Sequence, residues 1–316
     1  MTAPTQPRTI AVLGATGNQG NGVVRALLAK NSPDKVLFSV RAVTRDPDSP
    51  QAQRLLATYP EVCTSGHLQL VASDVYDRAS TERTFSGAWG VFAVTNNRLP
   101  SFPGSNRMIE TEEDLKHELS AGENIVAAAK ECGVRHFVFS SLPGIAEASG
   151  GRFQSLFYTN VQWPQYCRRN KDGVFRFCPP VPGDKAADWV DPSYDIGVYA
   201  AAVFTPGPER TASEIYPILG PKIRLADFPA IFSTVRSQPA VFDPITLDDW
   251  GATVARTVGK GYEEDIRQMM EWIAVAPDGK ICYGSMETWE DRSWEELGVR
   301  VSTFEEWVER ARLDGP

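Results

Sequence analysis

Thr9-Ile10-Ala11-Val12-Leu13-Gly14-Ala15-Thr16-Gly17-Asn18-Gln19-Gly20 carries an apolar run straight into three glycines at every third position. The run, with β-branched Ile10 and Val12, predicts a central parallel strand buried on both faces. Gly14 lets the chain reverse where a side chain would clash. Gly17 removes the Cβ that would hold a pyrophosphate away from the backbone, and Gly20 lets a helix over 18–28 lie close on the strand. Ala15, Thr16, Asn18 and Gln19 complete a turn whose helix start offers free N–H groups and the positive end of a dipole to phosphates. Glycine-rich turns also close ordinary strand-to-helix joints. Here the strand before and the helix after are both in place, so the stretch predicts a dinucleotide-binding turn.

Downstream, strands and helices alternate. A second strand over 36–44 ends in Arg45-Asp46-Pro47. At such a tip an acidic side chain accepts from a ribose 2′-OH, whereas an arginine pairs with a 2′-phosphate. Arg45 therefore favours NADP over NAD, the alternative being a solvated strand-end charge. A helix over 51–59 leads to a third strand over 67–72 and to Asp74, which either meets the adenine edge or caps the next helix. A fourth strand over 90–94 opens into Thr95 and Asn96, small polar residues placed to face the cofactor riboses. After a proline- and glycine-bearing loop at 98–107, a long helix over 111–131 is expected to turn Leu115, Leu119, Ile125, Val126 and Ala129 to one face. A fifth strand over 136–140 ends at Ser141. Strict alternation of this kind predicts an α/β, doubly wound parallel sheet, a Rossmann-type domain over 1–152.

Beyond Gly151 the pattern changes to a smaller mixed C-terminal region, 153–316, expected to bind substrate or partner and to pack partly back on the first domain. Aromatic residues cluster between Phe153 and Phe177, as a core or as a substrate pocket. A strand is expected over 174–178. Helices are expected over 194–204, capped by Asp191 or Ser193, and over 213–219, 247–258, 264–273 and 303–313.

The net charge of -8 disfavours direct nucleic-acid or anionic-membrane partners. Five cysteines, an odd number without a C-x-x-C pair, fit a reducing compartment and no zinc site. No apolar run marks a secretory signal or a membrane span, and the expected location is the cytoplasm, with a nuclear share open.

Taken together, GATGNQG, VRAVTRDP, ASDVYDRAS, GVFAVTN, AAAKECGVRHFVFSSLP, SGGRF and the near-terminal STFEEWVE resemble, in that order, the NmrA-like family of atypical short-chain dehydrogenase/reductases. The resemblance implies NAD(P) binding, with or without catalysis. The family includes reductases and also redox sensors that report cofactor state to partner proteins; its founder is a fungal repressor that binds a GATA-type transcription factor. Carried over, the pyrophosphate turn is Gly14 to Gly20, the 2′-phosphate ligand Arg45, the adenine contact Asp74 and the ribose contacts Thr95 and Asn96. Ser141 takes the place of a substrate-orienting serine, and Leu156, Phe157 and Tyr158 resemble residues that follow the sixth strand and line the cofactor.

One departure bears on chemistry. After SGGRF the family has a histidine, a lysine-bearing helix and a sixth strand, whereas here Arg152-Phe153-Gln154 runs almost at once into Leu156-Phe157-Tyr158. A crossover helix and strand need about thirty residues. Reductases of this superfamily pair tyrosine with a lysine four residues on, which lowers the tyrosine's pKa for proton delivery. No tyrosine of this chain has lysine at that offset. No catalytic residue is assigned, and two functions stay open: a regulator that binds NADP and signals to a protein partner, and an NADPH-dependent reductase of a small carbonyl or enone substrate. The first would work through the 98–107 loop.

Overall fold

Successive residues of a strand point to opposite faces, so Ile10 and Val12 face one way and Ala11 and Leu13 the other, and all four are buried. The computed structural model describes residues 6–95, 110–141, 162, 165–257, 259–277 and 286–311. Its first half runs β1 (Arg8–Val12), α1 (Asn18–Leu28), β2 (Phe38–Thr44), α2 (Pro50–Thr58), α3 (Pro60–Thr64), β3 (Leu68–Ala72), α4 (Arg78–Phe85), β4 (Gly90–Val94), α5 (Glu112–Glu131) and β5 (His136–Ser140). The five strands are all parallel and lie in the order β3-β2-β1-β4-β5. β1 is central because the chain first winds outward through β2 and β3, then crosses back to β4, leaving a switch point between β1 and β4.

Each face of the sheet has its own core. Ile10, Val12, Phe38, Val40 and Phe92 pack under α1 residues Val23, Val24 and Leu27. On the other face Ala11, Leu13, Val43, Val91 and Ala93 meet Phe85 of α4 and Ile125, Ala128 and Ala129 of α5. Each fully buried large side chain contributes roughly 1.5–3 kcal/mol. The expected apolar face of α5 needs correction: Leu119 and Val126 are 65% and 54% exposed, and Ala121, Ile125, Ala128 and Ala129 form the buried stripe. Residues 121, 125 and 128 share a face at helical spacing, while 119 and 126 share a different one. The buried stripe shares a core with Val91 and Ala93 of β4 and Phe85 of α4.

The second half continues with β6 (Cys167–Arg169), β7 (Phe175–Phe177), β8 (Ala186–Ala187), α6 (Asp195–Phe204), α7 (Pro208–Thr211), β9 (Ile223–Arg224), α8 (Phe228–Arg236), β10 (Ala240–Phe242), α9 (Leu247–Thr257), α10 (Glu263–Val275), α11 (Ser293–Leu297) and α12 (Phe304–Arg310). The expected strand near 175 joins a separate sheet, β10-β7-β6, and β8 pairs with β9, so the main sheet has five strands among the described residues. Tyr166, Phe175, Phe177, Trp189, Phe228, Phe232, Trp250 and Phe304 are buried in one cluster. The gap left between Tyr166, Phe177, Pro179, Trp189, Leu225 and Phe228 is only about 10 Å³. That holds about one water, so Tyr166, Phe175 and Phe177 are core; Phe153, Phe157, Tyr158 and Trp163 lie outside the described residues.

Two local expectations fail. Residues 213–219 are not helical: Ser213 adopts a left-handed backbone, Pro217 follows, and the segment is held by tertiary bonds from Tyr216 to Glu296 and from Ser293 to the Pro217 carbonyl. The N-cap of α6 is Tyr194, not Asp191 or Ser193. Asp191 instead accepts from the Ser193 N–H, shaping the turn before the helix. α6 is largely apolar and packs beside α1 on the same face of the sheet, with Ile196, Ala200, Ala201 and Phe204 in the α1-side core.

At the amino-terminal end of the sheet, His136 is 3% exposed between the rings of Trp89 and Phe204. Its Nε2 lies 3.2 Å from the Thr211 hydroxyl, and Nδ1 has no partner. Burial first, then the Arg8 guanidinium, hold its pKa down to about 4, with Glu209 pulling the other way. Below its ordinary value of 6.5 the unfolded chain takes up a proton that the fold refuses. Stability attributable to this group is therefore intact at neutral pH and lost as pH falls from 6.5 to about 4. Denaturant unfolding at neutral pH and near pH 4 is expected to show His136→Gln spared about 3 kcal/mol of the wild-type acid loss. Parallel profiles would show that His136 titrates freely.

Candidate functional site

The glycine turn sits at the carboxyl edge of the sheet and is held from both sides. The Leu13 N–H donates to Phe92 O of β4 at 3.0 Å and the Ala15 N–H to Val43 O of β2 at 3.1 Å. Gly14, at φ +63°, makes the reversal in a region that L side chains disfavour. The Gly17 N–H closes the turn on Gly14 O at 2.8 Å. A Cβ on Gly20 would lie 2.3 Å from Gly14 O, an impossible approach, whereas one on Gly17 would lie 3.3 Å from the same atom. Gly17 is the N-cap of α1 and offers no side chain to the first turn, and that turn carries no acidic residue. The helix therefore presents its N–H groups and positive dipole end without an internal competitor, which is the arrangement that holds phosphates.

Other expected residues fall around this turn. The Ser140 hydroxyl donates to Gln19 Oε1 at 2.7 Å, joining the end of β5 to the turn and setting exposed Ser141 beside it. Thr16 is half-buried and Asn18 exposed. Arg45 is exposed at the tip of β2. Asp74 does not cap α4. Its carboxylate accepts from the Tyr76 N–H at 3.0 Å, and Asp77 caps the helix through the Ala79 N–H at 3.0 Å. Asp74 is thus exposed at the carboxyl end of β3, level with Arg45 at the end of β2. Asn96, Leu156, Phe157 and Tyr158 lie outside the described residues, as do the 98–107 loop and the expected gap between β5 and Tyr158.

Three residues were missed from sequence. Tyr76 is half-buried, and its pKa is raised by burial first, lowered by Arg45, and raised again by Asp74 and Glu118. Those four side chains share one electrostatic neighbourhood. The Thr95 hydroxyl donates to the Glu118 carboxylate of α5. One helical stretch further, Asn124 Nδ2 donates to Val75 O at 3.1 Å and Tyr76 O at 3.2 Å. α5 thereby ties the ends of β3 and β4 together. The available signal was the pair of polar residues, Glu118 and Asn124, breaking an otherwise alanine-rich sheet-facing side. Among the described residues no group of three or more His, Cys, Asp or Glu side chains could hold a metal, and no helix is long and apolar enough to cross a membrane.

A parallel sheet in this order, with a glycine-capped helix start at its switch point, defines a Rossmann-type domain. Residues 6–160 match the model of the NmrA-like family, which places that stretch of the chain in the family. The NmrA-like family domain-containing oxidoreductase malD of Malbranchea aurantiaca is 37% identical over 185 residues, which is 56% of this chain and 47% of malD. FrzB of Cladobotryum sp, described in the same words, is 41% identical over 175 residues, 54% of this chain and 45% of FrzB. The matches thus span about half the length of these relatives. Among solved structures, the negative transcriptional regulator NmrA superposes with a TM-score of 0.69 at 17% identity, covering 97% of this chain and 96% of NmrA. NmrA has also been solved in complex with NADP, with a TM-score of 0.63 at 17% identity, covering 98% of this chain and 93% of NmrA.

The turn's geometry separates its glycines. Gly20→Ala would force a methyl against an immovable carbonyl and is expected to cost about 3 kcal/mol of unfolding free energy. Gly17→Ala, whose methyl would lie 3.3 Å from Gly14 O and needs an adjustment of only a few tenths of an ångström, is expected to cost less than about 1 kcal/mol. Chemical denaturation of the two variants checks the order, and equal losses would mean the turn relaxes more freely than its bonds to Phe92 and Val43 imply.

Proposed function

We propose that the chain binds a nicotinamide dinucleotide at the carboxyl edge of the five-stranded sheet, prefers NADP(H) to NAD, and acts as a redox-reporting regulator with weak or no hydride transfer of its own. The observation that carries this reading is the bare start of α1, held between β2 and β4 with Arg45 at the neighbouring strand tip. Gly14, Ala15, Thr16, Gly17, Asn18, Gln19 and Gly20 cradle the pyrophosphate. Arg45 pairs with the 2′-phosphate. Asp74 meets the adenine, Thr95 and Asn96 the riboses, and Ser141 with Leu156, Phe157 and Tyr158 the nicotinamide end. NmrA's capture of NADP on a similar fold supports the assignment. The regulatory half of the proposal rests on the absence of any Tyr-x-x-x-Lys pair in the sequence, which leaves no tyrosine activated as a proton donor. Its signal passes to a protein partner, such as a transcription factor, in the cytoplasm or nucleus. Residues 1–152 supply the dinucleotide site and 153–316 the partner or substrate surface.

A second reading, an NADPH-dependent oxidoreductase acting on a small carbonyl or enone, is favoured by the relatives malD and FrzB, both described as oxidoreductases. The two readings divide on turnover.

Calorimetric titration is expected to show NADP binding weakened by about 1.5–3 kcal/mol in Arg45→Ala, the contribution of a hydrogen bond to a charged group, with NAD hardly changed. Equal losses for both dinucleotides would remove Arg45 from cofactor choice. Gly17→Val, which places a branched side chain in the phosphate path, is expected to abolish binding of both while the protein stays folded. NADPH oxidation is expected to be slow against a panel of carbonyl compounds. Brisk turnover that survives Ser141→Ala would return the protein to the ordinary reductases.

A further inference from the structure

The near-terminal motif Ser302-Thr303-Phe304-Glu305-Glu306-Trp307-Val308-Glu309 takes no part in the dinucleotide site, yet a continuous set of contacts joins it to α1. Asp195, fully buried at the start of α6, accepts from both the Ser302 N–H at 2.9 Å and the Ser302 hydroxyl at 2.7 Å. Its second oxygen accepts from the Asp191 N–H at 2.7 Å. Arg310, closing α12, donates to the Asp191 carboxylate at 2.9 Å and to the Ser302 hydroxyl at 2.8 Å. The same guanidinium lies 4.4 Å from the Tyr194 ring. Arg25 of α1 lies 4.8 Å from that ring and donates to Ser193 O at 3.0 Å. The segment 193–197 is therefore gripped by the C-terminal segment and by α1 at once.

Its contact with α1 is backbone on backbone. A Cβ on Gly22 would lie 2.6 Å from Ser193 O, and one on Gly197 would lie 2.2 Å from Gly22 O. At that crossing no side chain separates the two backbones, so there is nothing soft to absorb a shift. α1 is eleven residues long, and at its other end Gly20 packs so close to the Gly14 carbonyl that a Cβ there would lie 2.3 Å from the oxygen. These close contacts at both ends of a short helix give a displacement of 193–197 a continuous packed route to the first turn of α1.

We propose that residues 302–310 are a latch that positions α1, with Arg310, Tyr194 and Arg25 as positioning residues, so that docking of α12 and dinucleotide binding at the α1 start are coupled. The coupling runs both ways by linkage: whatever holds α12 down tightens dinucleotide binding, and bound dinucleotide holds α12 down. A protein partner that pulled on α12 would release the dinucleotide. The latch rests on the dinucleotide reading above for its binding arm only.

Tyr194 is 37% exposed, so shortening it leaves the buried Asp195 node intact and the protein folded. Tyr194→Leu removes the ring shared by the two guanidinium groups, and Tyr194→Phe keeps it. Hydrogen exchange without dinucleotide is expected to show residues 18–28 exchanging faster in Tyr194→Leu, with β2 to β5 unchanged and Tyr194→Phe like wild type. Calorimetry with NADP is expected to show binding weakened about threefold to tenfold in Tyr194→Leu, the scale of a lost cation–π contact, and unchanged in Tyr194→Phe. In the wild type, saturating NADP is expected to slow exchange over 302–310. Unchanged α1 exchange with normal NADP affinity in Tyr194→Leu overturns the latch and leaves the proposed function standing. Faster exchange spread over the whole sheet overturns it as well. A wild type that binds neither NADP nor NAD overturns the function, and with it the coupling, while faster α1 exchange in Tyr194→Leu would still establish the positioning of α1.

Discussion

The backbone bonds from Leu13 to Phe92 and from Ala15 to Val43 hold the β1–α1 turn between its neighbouring strands. A turn tethered on one side could swing; tethered on both, it fixes where α1 begins and which way its first N–H groups point. Gly14 and Gly20 are the sequence requirements of that clamp, one for the reversal and one for the contact beneath it. The electrostatics of the carboxyl edge follow, because an anion placed there gains from fixed dipoles that need no reorganisation.

The edge is also asymmetric in charge. Arg45 stands at one end, and Asp74, Glu118 and the phenol of Tyr76 stand close by. The side chain that would neutralise a phosphate therefore has acceptors around it that suit an amine or a hydroxyl. α5 organises this half of the site without lying in it, through Glu118 on Thr95 and Asn124 on the carbonyls of Val75 and Tyr76. The other half depends on α6, which comes from beyond residue 190 and still shares a core with α1.

The first half of the fold was legible because its elements are short, strongly patterned and closed by proline or glycine. α1, β4 and β5 fall over the residues that the pattern indicates, and Arg45 reaches the strand tip where its position puts it. Contacts distant in sequence were not legible. Leu119 and Val126 look like core by type, but which side of α5 is buried depends on how close the sheet lies. Residues 213–219 carry Pro217 in mid-segment, which disfavours a helix, and are held by Tyr216 on Glu296 and by Ser293 on the Pro217 carbonyl. Asp74 and Asp77 are equivalent capping candidates three residues apart, and only the Ala79 N–H decides between them. Tyr76, Glu118 and Asn124 belong to the site through partners 23 to 49 residues away, a separation no local pattern encodes.

The placement of α6 bears on how the chain is made. Ile10, Val12, Phe92 and the inner side of α1 lose part of their cover if residues 195–204 are not yet present. On a ribosome that sheet face emerges early and waits, apolar and open, until the α6 segment follows it out of the exit tunnel. Synthesis that stalled after β5 would leave an adhesive half-sheet, a natural client for a chaperone and a poor candidate for expression as a separate fragment.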